Sequence, residues 1–337
     1  MLREPDGLRP KTALKLYKSL IRPILEYASP VIIFGETHMK KLEQLQLDIV
    51  KKMLGLRENT KNESVRVISG IEPLEVRFGF LKLKHQFRIL KKPNSSLVKT
   101  VYNAIEQHTE RHGFLSECAA LREKFGVPLP NNTEQSLREY GMELKAVMYN
   151  KSFQTDLAAV KASGQANILA SLFPTKASYF NYRPLDLVVR VLDKQDRAVR
   201  TAFLQNLAGS SYLANRYRKK CAFCSSARGN LEHLIFDCEK LVNERLKLFV
   251  DIGTQIKKFN LKLFQVWEKA HADDDRSIIN AVLFGGNFVA RELRDIILFR
   301  KTHYKHSHHS DGICIRMGKW LNELAVIHEA RCTTDGD

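Results

Sequence analysis

Apolar residues along this chain recur three and four positions apart, and that spacing restricts the fold more than any other feature. Leu14, Tyr17, Ile21, Ile24, Leu25 and Ala28 form one stripe, Leu42, Leu45, Ile49 and Met53 a second, and Leu74, Phe78, Leu81, His85 and Ile89 a third. A 3.6-residue period places each set on one helix face, whereas the period of two that marks strands is scarce. The expected fold class is therefore mainly α. Pro10 stands at a helix start, where its missing N–H is tolerated. Pro23 lies inside the first pattern and should kink or split it. Thr37 can cap a helix from about Met39 to Leu54, and Gly55 follows where a helix end favours φ > 0. Ser64 to Ile68 reads as a short helical turn.

Breaks in this pattern suggest an organisation. Pro93-Asn94-Ser95-Ser96 is the first turn-rich boundary, and Gly126–Asn132 reads as a loop. Helices are expected at Ser136–Asn150, Thr155–Ala162, Leu185–Leu192 and Ala198–Leu207, with a connector at Lys161–Gln165. A cysteine-containing module follows at 216–245. A helical tail from about Leu261 to Ala330 is interrupted by Gly285-Gly286. The expected units are a helical bundle at 1–92, a helical connector at 93–184, a helical lead-in with the cysteine module at 185–250, and a helical C-terminal region at 251–337.

Composition narrows the class. Hydrophobic residues make up 44% of the 337, enough to fill a core, which excludes global disorder. No apolar run approaches the ~18 residues of a membrane span. The first residues lack the charged-then-apolar layout of a signal peptide. The expected setting is intracellular, nucleus or cytoplasm, with no membrane partner. The six cysteines should be reduced thiols or metal ligands rather than disulfides. Lys and Arg number 54 against 37 Asp and Glu, a formal net charge of +17. That excess points to an acidic partner, with nucleic acid ahead of an anionic surface.

Cys221-x2-Cys224-x8-His233-x4-Cys238 carries the strongest chemistry. Zinc takes four nitrogen or sulfur ligands in a tetrahedron, and four such residues within 18 positions suit one structural Zn2+. A closed four-ligand site leaves no position for a catalytic water. Immediately upstream, Arg216-Tyr217-Arg218-Lys219-Lys220 combines phosphate-binding charge with a stacking aromatic. Lys11, Lys15, Lys18 and Arg22 form a basic helical stripe, extended by Lys82, Lys84 and Arg88. Residues 1–92 hold 19 Lys and Arg against 10 Asp and Glu, a net of +9. These residues are the candidate contacts to RNA or DNA.

Other clusters carry less. His303, His306, His308, His309 and Asp311 crowd one basic loop whose reading is a solvated surface. Cys314 and Cys332 lack a nearby partner cysteine, and Cys118 has no positioned base. His271-Ala272-Asp273-Asp274-Asp275 has the outline of a polymerase aromatic-x-Asp-Asp turn. It is flanked by Glu268-Lys269 and Arg276-Ser277 rather than apolar strands, so it reads as the acidic start of a helix over Ser277–Phe284.

Two blocks taken together resemble a known family. The first runs Leu16-Tyr17-Lys18-Ser19-Leu20-Ile21-Arg22-Pro23-Ile24-Leu25-Glu26-Tyr27-Ala28-Ser29-Pro30. It continues through Lys41-Leu42-Glu43-Gln44-Leu45-Gln46, Met53-Leu54-Gly55-Leu56, Gly70-Ile71-Glu72-Pro73-Leu74 and Arg77. The second comprises Leu204, Leu207-Ala208-Gly209, the basic run, the Cys/His motif and Arg245. Over about 9–90 and 185–250 the chain resembles the thumb and C-terminal zinc-knuckle region of non-LTR (LINE-type) retrotransposon reverse transcriptases. The resemblance implies a thumb-like N-terminal bundle gripping the template–primer backbone, so that contacts are largely independent of base sequence, and a knuckle engaging nucleic acid. The family's palm aromatic-x-Asp-Asp has no counterpart here, and two-metal nucleotidyl transfer needs those carboxylates. The expectation is a nucleic-acid-binding remnant of an RNA-directed DNA polymerase that does not polymerise by itself. A structural or protein-interaction fragment, or a truncated gene model of a complete reverse transcriptase, is the alternative.

Overall fold

A computed structural model describes residues 8–107, 113–128, 135–163, 166–173, 182, 196–210, 221, 223–224, 231–259, 261–284, 316–317, 319–324 and 326. Among these residues the chain is helical and contains no strand. The expected 185–192 helix, the Gly285-Gly286 interruption and the His-rich loop lie outside the described residues.

At Pro23 the first helix changes its winding rather than ending. α1 (Pro10–Leu16) passes through a π-turn at Tyr17–Ile21 into α2 (Arg22–Glu26), and the Arg22 amide bonds the Tyr17 carbonyl five residues back. The widened turn absorbs the proline, which would otherwise collide with the carbonyl four residues earlier. Tyr17 is fully buried, and its hydroxyl donates to Gln46. Ile24, expected on the apolar stripe, is exposed.

α3 (Glu36–Leu54) starts three residues earlier than expected. Thr37 lies inside it, and Gly35 occupies the N-cap without a side-chain bond. The buried stripe is also rotated: Leu47, Val50 and Leu54 are buried beside Gln46, while Leu45 is exposed. Gln46 is tolerated inside because its Nε2 donates to the Glu72 carbonyl at 3.0 Å while its Oε1 receives Tyr17.

Gly55 ends α3 at φ +69. The Gln205 side chain of α10 (Arg197–Leu207) donates to its carbonyl at 2.9 Å. An added Cβ would lie 2.7 Å from Thr201 Oγ1. Gly55→Ala therefore combines left-handed strain of about 1–2 kcal/mol with a clash against α10. The expected loss is about 2 kcal/mol in a urea melt, and a loss within 0.5 kcal/mol would contradict it.

α4 (Asn62–Ser69) and α5 (Leu74–Leu90) follow, and α5 buries most of its circumference. Beyond α6 (Leu97–Gln107) and α7 (Phe114–Phe125), α8 runs unbroken from Leu137 to Ala162. The two separate helices expected there are one, started by a capping box of Ser136 with Glu139. α8 lies against both α4 and α5, with Phe80 against Tyr149 at 5.7 Å and Phe87 against Tyr140 at 4.3 Å. The described helices of 1–92 and of the 93–184 segment thus share one core, with α8 packed against α4 and α5.

That core continues through α9 (Asn167–Ser171) and α10 into the C-terminal half. α11 (Val242–Phe259), α12 (Leu261–Ala272) and α13 (Arg276–Phe284) pack in sequence, and α13 touches α9. Phe249, Trp267 and His271 meet at the α11–α12 contact, with ring centroids 4.4–5.9 Å apart and edge-on or tilted planes.

Candidate metal centre

His233 and Cys238 are five residues apart, which on an α-helix would point their side chains about 140° apart. The chain solves this with a second π-turn. His233–Asp237 is wound to the wider period, and the Cys238 amide closes on the His233 carbonyl at 2.7 Å. The x4 spacing thereby brings both side chains to one side. Leu231, Leu234, Ile235 and Leu241 anchor this segment in the core.

Cys221, Cys224, His233 and Cys238 converge so that their ligand atoms all lie within 4.8 Å of one another. Cys221 Sγ and Cys238 Sγ are 3.8 Å apart, too far for a disulfide. A tetrahedral ion with metal–sulfur bonds of ~2.3 Å separates its sulfurs by about 3.8 Å. Cys224 Sγ stands 3.2 Å from His233 Nε2, a few tenths closer than the roughly 3.5 Å of a sulfur–nitrogen edge. The Phe223 amide donates to Cys221 Sγ at 3.4 Å.

Burial, followed by the adjacent Cys221, pushes the Cys238 thiol up to about 12, and burial lowers His233, keeping the imidazole neutral. A cation that displaces the thiol proton removes that penalty. The four residues could hold a metal ion, and together they supply the three sulfurs and one nitrogen of a complete tetrahedral set.

Two arginines brace the segment. Arg245 Nη1 donates to the Cys238 carbonyl at 3.3 Å from α11. Arg276 Nη2 reaches Asp237 Oδ1 at 2.8 Å and also pairs with Asp274. The acidic tract that mimics a polymerase turn is therefore a helix junction: Asp275 caps α13, accepting the Ile278 amide at 3.1 Å, and Asp274 takes φ +47 in the turn. Arg245 is visible in sequence as the arginine after the motif; the Arg276 brace carries no local signal.

The expected nucleic-acid contacts divide. Arg216, Tyr217, Arg218, Lys219 and Lys220 lie outside the described residues. Lys11, Lys15 and Arg88 are exposed, and Lys18 and Lys84 partly so. Lys82 is not a surface residue: 2% exposed, it donates to the Ile32 carbonyl at 2.9 Å and pairs with Glu117. It ties α5 to α7, and its ammonium is already engaged. Arg22 is likewise committed, to Glu26 and to Glu72 at 2.6 Å. Cys118 is fully buried, and burial pushes its thiol up to about 12, so it is an inert packing residue.

No helix among the described residues is long and apolar enough to cross a membrane. No family model, curated protein or solved structure matches the chain.

Proposed function

We propose that this chain is a nucleic-acid-binding module stabilised by one structural zinc ion and related to the thumb and knuckle region of non-LTR reverse transcriptases. The convergence of Cys221, Cys224, His233 and Cys238 carries the reading, because the basic run Arg216–Lys220 ends on the residue before the first ligand. Three thiolates and one imidazole favour zinc over hard oxygen-seeking cations. The ion fixes a short segment and, with four protein ligands, does no chemistry of its own. A net charge of +17 supplies the attraction for a phosphate backbone, directed at RNA or DNA without base readout. The paired carboxylates of a polymerase are not supplied by the 271–275 tract, so the module binds and positions rather than polymerises.

Binding to a single-stranded oligonucleotide should weaken steeply with salt. Replacing Arg216, Arg218, Lys219 and Lys220 with Ala should flatten the log–log salt slope by about one for each phosphate that is no longer neutralised. Equal affinity at low and high salt would sink the reading.

A further inference from the structure

Phe80 is 3% exposed, and three cations surround its ring. Arg77 Cζ lies 5.4 Å, Lys145 Nζ 5.6 Å and Lys84 Nζ 5.9 Å from the ring centroid. Lys145 is also 5.9 Å from the Tyr149 ring. Lys84 crosses from α5 to α8, passing Gly141 one turn before Lys145, where a methyl group would meet its Cε at 3.6 Å. Lys18 joins from the π-turn of the first helix, its Nζ on the Gly70 carbonyl at 3.3 Å.

The charges here do not balance. Arg22 and Arg77 use the two local carboxylates: Glu72 with Arg22, and Glu26 shared between Arg22 and Arg77, the latter with two bonds of 2.8 and 3.0 Å. No carboxylate pairs with Lys18, Lys84 or Lys145 among the described residues. Five cations therefore face two carboxylates that are already taken. Burial and then the Arg22 and Lys145 charges pull Lys18 below the ordinary lysine range, against the opposing pull of Glu72. Desolvation and then Arg77 do the same to Lys145, again opposed by Glu72. A surface face that only covered Phe80 would need one aliphatic stem. Lys84 and Lys145 instead bring two ammonium groups to one ring, and Lys145 is within electrostatic reach of Lys18 as well as Lys84, a local excess of positive charge suited to an anion of two or more oxygens.

We infer that Lys18, Lys84 and Lys145 form a phosphate-binding cradle at the junction of the first helix, α5 and α8, and that it holds a backbone phosphodiester. The identity of the ligand rests on the nucleic-acid reading above; the existence of a phosphate site does not. Lys145 lies in the 93–184 segment, for which the sequence indicates no role.

The test uses the full chain and two double variants of equal charge change: Lys84→Gln with Lys145→Gln, and Lys41→Gln with Lys52→Gln, two exposed lysines of α3. Inorganic pyrophosphate should raise the melting temperature of wild type and of the α3 variant but not of the cradle variant. Lys84→Arg with Lys145→Arg should recover the response. Oligonucleotide affinity of the cradle variant should fall about tenfold at low salt, with the salt slope lower by about one to two. Pyrophosphate acting alike on all proteins, or on none, overturns the site. A cradle-specific pyrophosphate response with unchanged oligonucleotide affinity overturns the phosphodiester assignment. A wild type that ignores oligonucleotides but keeps the pyrophosphate response overturns the nucleic-acid reading and leaves the site standing.

Discussion

Stripping the metal from the full chain, zinc in the function proposed above, is expected to melt the segment around the Cys/His cluster and to lower the melting temperature of the C-terminal half. The reason is where the ligands sit. Cys221, His233 and Cys238 are each at most 5% exposed, and Leu234, Ile235 and Leu241 beside them belong to the common core. Without a cation, a buried thiol and a buried neutral imidazole stand against two further sulfurs with nothing to hold them together. Structural zinc contributes about 10–16 kcal/mol in isolated finger peptides; in a core that is also held by apolar packing, the expected effect is several kcal/mol. Elemental analysis should give about one zinc per chain. Cys221→Ser should lose the ion and the stability together, while Cys118→Ala, a buried thiol outside the cluster, should keep the zinc. Retention should weaken as the pH falls, because burial and the neighbouring Cys221 raise the Cys238 thiol and protons then compete with the cation for its sulfur. Undiminished zinc and melting temperature in Cys221→Ser would remove the ligand assignment.

The Cys/His cluster is legible because its chemistry is written in residue type and spacing. The π-turn that unites His233 with Cys238 is the geometric meaning of the x4 interval, and sequence periodicity tuned to 3.6 residues passes over it. The helical class is legible for the same reason that its details are not. Periodicity finds the helix but not its rotation, and α3 turns Leu45 outward because Gln46 finds two partners inside. Lys82 reads as a surface charge in the sequence because its partners, Ile32 and Glu117, are 50 and 35 residues away. The integration of α8 escapes a reading by boundaries, since turn residues at 93–96 mark where the chain bends, not where the core ends.

Breaking the ion pair between Arg66 and Asp156 is expected to cost about 3–5 kcal/mol. Arg66 on α4 donates twice to Asp156 on α8, at 2.9 and 2.6 Å, and once to Glu43 on α3 at 3.1 Å. Glu43 also accepts the Leu74 amide that opens α5, at 2.7 Å, and Tyr182 donates to Asp156. One guanidinium thus ties together the helices that carry both the first 92 residues and α8. An exposed pair such as Lys40–Glu36, with side chains 75% and 81% exposed, contributes at most about 1 kcal/mol. Arg66 and Asp156 are 12% and 6% exposed, so after loss of Asp156 the guanidinium keeps its desolvation cost with only Glu43 and the more distant Glu63, at 3.8 Å, to offset it. Asp156→Leu alone should therefore be severe. Adding Arg66→Met should recover part of the loss, because the under-compensated buried cation is gone, but not all of it, because Glu43 then loses its counter-charge. Burial already raises the Glu43 pKa above the ordinary carboxylate range even with Arg66 present. A carboxyl whose folded pKa lies above its unfolded value gains stability as pH falls through the folded value. The double variant should accordingly grow more stable on mild acidification, measured by urea melts between neutral pH and the carboxylate range. A double variant no more stable than Asp156→Leu, or one without that pH response, would mean that Glu43 and Arg66 are not coupled as the geometry requires.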